Sequence, residues 1–264
     1  MSKNSKPRLV MIGAGNVASS LAPAIHQADA ADVVQVYSRN LANAQALADA
    51  IPGAAATADL DEILPDADVY LLSLSDDALK DTVAALKPNN ALWLHTSGST
   101  GMEILSRLSD SYGVFYPLQT FSKSRRVNLD TVSLFTEGST LEVEDRIREM
   151  AVKVFKNVYH ADSLTRRRMH IAAVFACNFS NYMWMIAHDL LQKHHIPFDV
   201  LAPLLRETLD KALQMNPRDG QTGPARRGDT VLIEAHAEML PDNLREIYIL
   251  LSESIIKEFH DRKA

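Results

Sequence analysis

The stretch Gly13-Ala14-Gly15-Asn16-Val17-Ala18 has the spacing G-x-G-x-x-A directly behind the apolar run RLVMI at residues 8–12. Two glycines at that interval let the chain turn tightly and bring its amides close to a ligand, and a small third residue lets the next helix pack on the strand. Unpaired amides and the dipole at the start of that helix attract phosphate. The pattern predicts a dinucleotide cradle formed by Gly13, Ala14, Gly15, Asn16 and Val17. The same spacing also suits a tight turn in a flavodoxin-like domain without a dinucleotide. The tip of the second strand reads Tyr37-Ser38-Arg39-Asn40 and lacks the carboxylate that binds a ribose 2′-hydroxyl in NAD proteins. Asp32 begins that strand and so stands at the wrong end. Arg39 can pair with a 2′-phosphate and Ser38 can donate to it, which predicts NADP over NAD. Alternatively Arg39 is solvated, and Asn40 caps the next helix with or without a ligand.

Ligands of such sheets lie beyond the carboxyl ends of the strands. Ser73, Leu74 and Ser75 follow the fourth strand, and Thr96 and Ser97 follow the fifth. They are candidate contacts for the nicotinamide ribose and carboxamide; turn and cap chemistry is the bland alternative. His95, ending the fifth strand, is a candidate acid/base group or a structural hydrogen-bonder. His170, Asn178 and Asn181 form another candidate catalytic set. On a regular helix Asn181 falls about 20° and Asn178 about 80° from His170 around the axis. Their stretch, IAAVFACNFSNYM, is expected to be buried between domains, with Cys177 as core; its polar groups then need a ligand or partners. In the loop GPARRGD, Arg227 can clamp a substrate carboxylate, and Asp229 can orient Arg227 or cap a helix. Tyr116, Gln119, Thr120 and Ser122 border the expected cleft. The run Arg166–Arg168 reads as a solvated helix face, and His188, His194 and His195 as helix-surface residues without a metal pattern.

Positioning these groups requires alternating strands and helices. Strands are expected at 8–12, 33–37, 54–56, 69–74, 91–95, 113–116, 132–136 and 158–160. Helices are expected at 16–28, 41–50, 59–64, 101–108 and 141–156, and from Asp76 or Asp77 as cap to Leu86. The strands are apolar throughout, which argues for a mainly parallel sheet covered on both faces: an α/β Rossmann domain over residues 1–161. Residues 162–264 carry only helical patterns, at 162–194, 198–215, 230–239 and 243–260, and are expected to form an all-α substrate and dimerisation domain. Residues 1–6 read as a loose tail.

The chain has 264 residues, 47% hydrophobic and 23% charged, with a formal charge of −6. That balance argues against nucleic acid or an anionic membrane as partner. The lone cysteine excludes an internal disulfide and suits the cytoplasm. No apolar run reaches the roughly 20 residues of a membrane span, and no signal peptide is read at the start.

Taken together, GAGNVA, SLSDDAL, HTSGS, YPLQTFS, HIAAVFACNFSNYM and GPARRGD resemble the family of Rossmann-like proteins with a DUF2520 C-terminal domain. That family is similar to pyrroline-5-carboxylate reductase, ketopantoate reductase and the 3-hydroxyacid dehydrogenases. The resemblance implies a 6-phosphogluconate dehydrogenase C-terminal-like helical domain, NADP, a homodimer and an oxidoreductase. It also leaves a regulatory dinucleotide sensor or a deazaflavin (F420) reductase as alternatives. One departure matters. The 3-hydroxyacid dehydrogenases place a catalytic lysine four residues before an asparagine, and here Val174 stands four before Asn178.

Overall fold

The computed structural model describes residues 6–260. One sheet contains β1 (Arg8–Ile12), β2 (Asp32–Tyr37), β3 (Ala55–Thr57), β4 (Val69–Leu72), β5 (Leu92–His95), β6 (Tyr112–Leu118), β7 (Ser133–Gly138) and β8 (Asn157–His160). The order is β3-β2-β1-β4-β5-β6-β7-β8. β1 to β6 run parallel, β7 pairs antiparallel with β6, and β8 pairs parallel with β7. The chain moves from β1 to β2 on one side and later to β4 on the other. The crevice where this direction switches lies at the end of β1, at Gly13.

Because side chains alternate along a strand, β1 feeds two cores. Leu9 and Met11 join Ala18, Leu21 and Ile25 of α1 (Asn16–Gln27), Ala44 and Leu47 of α2 (Leu41–Ala48), and Val143 and Ile147 of α4 (Leu141–Ala151). Val10 and Ile12 join Leu79 and Val83 of α3 (Asp76–Ala85), with Tyr70 and Trp93 stacked at 4.1 Å. Four departures from the sequence reading have local causes. β6 runs on through Pro117 to Leu118, in the stretch where it has outrun β5 and pairs only with β7. The 101–108 segment yields only a 3₁₀ turn, Met102–Leu105. The serines that follow bond to local backbone, as when the Ser111 amide donates to Ser109 Oγ at 3.0 Å, and so compete with a helix. The 59–64 segment likewise gives only a 3₁₀ turn, Leu60–Glu62, capped by Asp59. Of the expected tail, residues 1–5 lie outside the described residues, while Lys6 pairs with Asp29.

The chain divides into two compact units, residues 1–182 and 183–264. The last strand ends at His160, beside the expected boundary, but the division falls farther along, inside a long helix. That helix consists of α5 (Ser163–Ala173), a π-helical segment (Val174–Phe179) and α6 (Ser180–Gln192). Arg166 and Arg167 bond to the loop after β5, so α5 folds with the sheet. The second unit holds α7 (Ala202–Gln214), α8 (Pro224–Arg227), α9 (Thr230–Glu238) and α10 (Asp242–His260). The sequence pattern of α8, GPARRGD, reads as loop. Proline at its start and Gly228, at φ +74°, just past its end are the residues that begin and stop a helical turn. No helix among the described residues is long and apolar enough to cross a membrane.

Phe115 is fully buried and meets Phe155 edge-on at 5.9 Å. Phe115→Ala is expected to lower the unfolding free energy by about 3–5 kcal/mol in urea denaturation. A loss below about 1 kcal/mol would contradict this packing.

Candidate functional site

The turn after β1 has the backbone its glycines require. Gly13 lies at φ +116°, its amide donates to the Tyr37 carbonyl at 2.8 Å, and a β-carbon there would stand 2.2 Å from the Ser73 carbonyl oxygen. A β-carbon on Gly15 would meet no atom within 4 Å, so open space lies before it. Gly15 is the N-cap of α1 and supplies no side-chain acceptor. The first-turn amides are therefore left for an external one. Ala14 is buried, Gly15 and Asn16 are exposed, Val17 is half-buried, and fully buried Ala18 seats the helix on the sheet. The residues fit the pyrophosphate of a dinucleotide.

At the tip of β2 the Ser38 amide donates to Thr57 O at 3.1 Å, and Ser38 Oγ accepts from the Asn40 amide. Asn40 Oδ1 accepts from the Asn43 amide and caps α2. Arg39 is exposed, with no partner for its guanidinium among the described residues. Asp32 stands at the far end of the strand, 3.3 Å from His26.

The loop after β5 is held by two charged groups. Asp76 accepts from Ser97 Oγ at 2.6 Å, from Thr100 Oγ1 at 3.1 Å and from Ser99 Oγ. Burial alone would raise its pKa, but these three donors, with His170 nearby, bring it below the ordinary carboxylate value. The sequence offers Asp76 or Asp77 as the cap of α3. The cap position belongs instead to exposed Ser75, which makes no side-chain cap bond, and Asp76 turns to the loop. Ser73 is buried and Leu74 half-buried, and the Ser73 carbonyl rather than its hydroxyl lies against Gly13. Thr96 is buried, its amide donating to Leu72 O at 3.0 Å. The Ser97 hydroxyl is engaged by Asp76 and by the amides of Ser99 and Thr100.

The second charged group is Arg166, fully buried rather than part of a solvated face. It donates to Glu137 Oε2 at 2.5 Å, Ser97 O at 3.2 Å, Thr100 O at 2.6 Å and Ser163 Oγ at 3.2 Å. Glu137, buried on β7, also accepts from the Ser163 amide and hydroxyl. The arginine run divides: Arg166 faces inward, Arg167 donates to Ser99 O at 2.9 Å, and Arg168 is exposed.

His95 has no exposed surface. Its Nδ1 accepts from the Ser97 amide at 3.1 Å, and its Nε2 is buried. Burial, reinforced by the Arg166 charge, lowers its pKa to about 4. The ring is neutral at pH 7 and enclosed, which suits a structural role rather than proton exchange with a substrate. His170 differs. It is half-buried, and its Nδ1 lies 3.2 Å from Tyr116 Oη. Burial raises the Tyr116 pKa, against a smaller opposing pull from Arg166. A β-carbon on Gly98 would stand 2.7 Å from His170 Nδ1 and 2.8 Å from Tyr116 Oη, so only glycine lets the loop approach this pair.

The remaining candidates are dispersed. Asn178 and Asn181 are exposed, as are Cys177, Ile171, Phe175 and Phe179, so the stretch expected to be buried is not. The π segment also breaks the regular-helix angles assumed for His170, Asn178 and Asn181. Gln119 is exposed, with Oε1 accepting from the Thr120 amide at 2.8 Å. In the second unit, Asp229 caps α9 by accepting from the Leu232 amide, and Arg227 is exposed at the end of α8. His194 and His195 lie in an exposed turn after α6 rather than on a helix. The sequence does not mark Arg166, Glu137 or Gly98 as site residues. One signal was present: Glu137 is the only charged residue in its strand, SLFTEG.

The fold and the amide-lined turn define a Rossmann-type dinucleotide-binding protein. Residues 132–255 match the domain of unknown function DUF2520, and residues 8–93 match the family described as NADP oxidoreductase, coenzyme F420-dependent. A crystal structure from Bacteroides fragilis, BF3122, provisionally described as an NADP oxidoreductase, is 41% identical. The match covers 96% of this chain and 98% of that one, with a TM-score of 0.88. Protein TM1727 from Thermotoga maritima is 20% identical over 96% of this chain and 98% of its own, with a TM-score of 0.73. A reductive aminase from Aspergillus terreus, solved with NADPH, is 16% identical over 96% and 95%, with a TM-score of 0.67. These last two share the fold. No curated protein matches the chain. The chain belongs to the DUF2520 family of Rossmann-fold NADP oxidoreductases.

Two outcomes test the site. The folded state holds His95 neutral down to about pH 4, whereas an unfolded histidine protonates below about 6.5. The unfolded state therefore binds more protons between these values, and stability falls as pH drops from about 6.5 to 4, by about 3 kcal/mol at most. Denaturation midpoints across that range should show this fall, and His95→Gln should reduce it; an equal slope in both proteins would contradict the assignment. Glu137→Gln leaves a buried guanidinium without its counter-charge and is expected to cost about 3–5 kcal/mol in chemical denaturation. A cost under 1 kcal/mol would show that the pair is not buried as described.

Proposed function

We propose that the protein is an NADP(H)-dependent reductase or dehydrogenase acting on a small carbonyl, imine or hydroxy compound, one that carries a carboxylate. The observation that carries this reading is the placement of His170 and Tyr116 against Gly98, at the carboxyl end of the same sheet as the Gly13–Ala18 turn. Gly13 to Val17 hold the pyrophosphate, Arg39 and Ser38 the 2′-phosphate, and the loop after β5 the nicotinamide end. When bound, the dinucleotide supplies or accepts the hydride. The chain's own task is then to orient the substrate and handle one proton.

We assign that proton to the Tyr116 Oη–His170 Nδ1 pair. His170 is accessible, and an imidazole beside a phenol can pass a proton in either direction. His95 is reassigned to holding the loop. Arg227, whose guanidinium makes no bond to the described residues, is kept as the carboxylate clamp, with Asp229 fixing the next helix. Asn178, Asn181 and Gln119 present exposed amides and are retained as substrate contacts. A second reading, use of the deazaflavin F420, is favoured by the family matched at 8–93. Mixing the protein separately with NADPH, NADH and the deazaflavin, and following ligand fluorescence, distinguishes the two.

A homodimer accompanies this reading. Ile171, Phe175 and Phe179 are 59%, 66% and 49% exposed on one helix, and burying side chains of this size stabilises by about 1.5–3 kcal/mol each. Light scattering behind size exclusion should give twice the chain mass, and Phe175→Glu should shift it toward one. A wild-type monomer at micromolar concentration contradicts the dimer.

In NADPH oxidation over a panel of oxo acids and imines, His170→Ala and Tyr116→Phe are each expected to lower kcat about 10²-fold with little change in NADPH affinity. Unchanged kcat in both variants would remove the proton-handling role.

A further inference from the structure

The connection from β6 to β7 carries Lys123, Arg125 and Arg126, a cluster that the site described so far does not use. The chain folds back on itself there: Ser122 and Arg125 pair as an isolated bridge, and the Arg125 amide donates to Ser122 O at 3.3 Å. Lys123 stands at the tip of this turn. Its Nζ donates to Asn43 Oδ1 at 3.2 Å, across 80 positions of sequence. Asn43 lies in the first turn of α2, the helix capped by Asn40 directly after Arg39. The turn therefore brings a second cation to the segment that carries Arg39. Neither Arg39 nor Lys123 has a carboxylate partner among the described residues, although the whole chain is net acidic.

We propose that Lys123 is a specificity-determining residue for the adenosine end of the cofactor, supplying a second positive charge to the 2′-phosphate held by Arg39. The inference rests on the NADP reading above. Two facts support it. A neutral amide oxygen is a weak partner for an ammonium, and the contact can be exchanged for a dianionic phosphate with a gain in charge complementarity. The lysine stem has four carbons, so its head can move while the turn stays in place. Lys123, Arg125 and Arg126 all line a groove with Ser19, Ser20 and Gln27 of α1. Lys123 alone is anchored to α2.

The test is fluorescence titration of the full chain with NADPH and NADH, together with competition by 2′,5′-ADP and by 5′-AMP. Wild type, Lys123→Met and Lys123→Arg are compared. Lys123→Met is expected to weaken NADPH and 2′,5′-ADP about five- to tenfold and to leave NADH and 5′-AMP unchanged, with Lys123→Arg close to wild type. An unchanged NADPH-to-NADH ratio in Lys123→Met overturns the proposal while leaving the NADP reading intact. Equal weakening of both cofactors also overturns it, because the lysine would then be structural. A wild type that binds NADPH no better than NADH overturns the NADP reading itself, and this proposal with it.

Discussion

The buried pair of Arg166 and Glu137 is the interaction on which the arrangement of the site depends. Removing two charges from water costs several kcal/mol, and a single contact does not return it. Here the guanidinium reaches four acceptors: one carboxylate oxygen, two loop carbonyls and one hydroxyl. A planar donor set spread over acceptors from β7, the loop after β5 and α5 tolerates little relative movement among them. Asp76 holds the same loop through three hydroxyl groups. The loop is thus fixed by a cation on its carbonyls and an anion on its hydroxyls.

The consequence is chemical as well as structural. With Ser97 and Thr100 tied down, Gly98 is pressed against Tyr116 and His170, where any side chain would collide. The same charges separate the two histidines. His95, enclosed and facing Arg166, is held neutral. His170, half-buried and beside the Tyr116 hydroxyl, keeps access to solvent. Two imidazoles near one loop therefore stand in different surroundings, one enclosed and neutral, the other half-buried beside a hydroxyl.

Much of the fold was legible in the sequence because parallel strands buried on both faces are apolar throughout and glycine turns are conspicuous. All eight strands fall within a few residues of their expected places, and the Gly13 turn has the geometry that its spacing demands. The site was less legible. Arg166 looked like surface because two more arginines follow it, and nothing in RRR says which one turns inward. Its partner Glu137 lies 29 positions earlier, a pairing that only the β6–β7 reversal creates. His95 was attractive because of its place at a strand end, but burial is a property of the assembled layers. The angles between His170 and the two asparagines assumed a uniform helix, and the π segment between them leaves no mark in composition. Similarly, Lys123 meets Asn43 only because a long connection folds back across α2.

The account's central claim is that the pinned loop sets the His170–Tyr116 pair facing the reactive end of a dinucleotide held by the Gly13–Ala18 turn. A crystal structure with NADP bound tests this most directly. The account predicts pyrophosphate oxygens on the amides of the first turn of α1 and nicotinamide C4 opening onto a space bordered by His170 and Tyr116. A dinucleotide bound away from that turn, or a nicotinamide ring out of reach of both side chains, would contradict it.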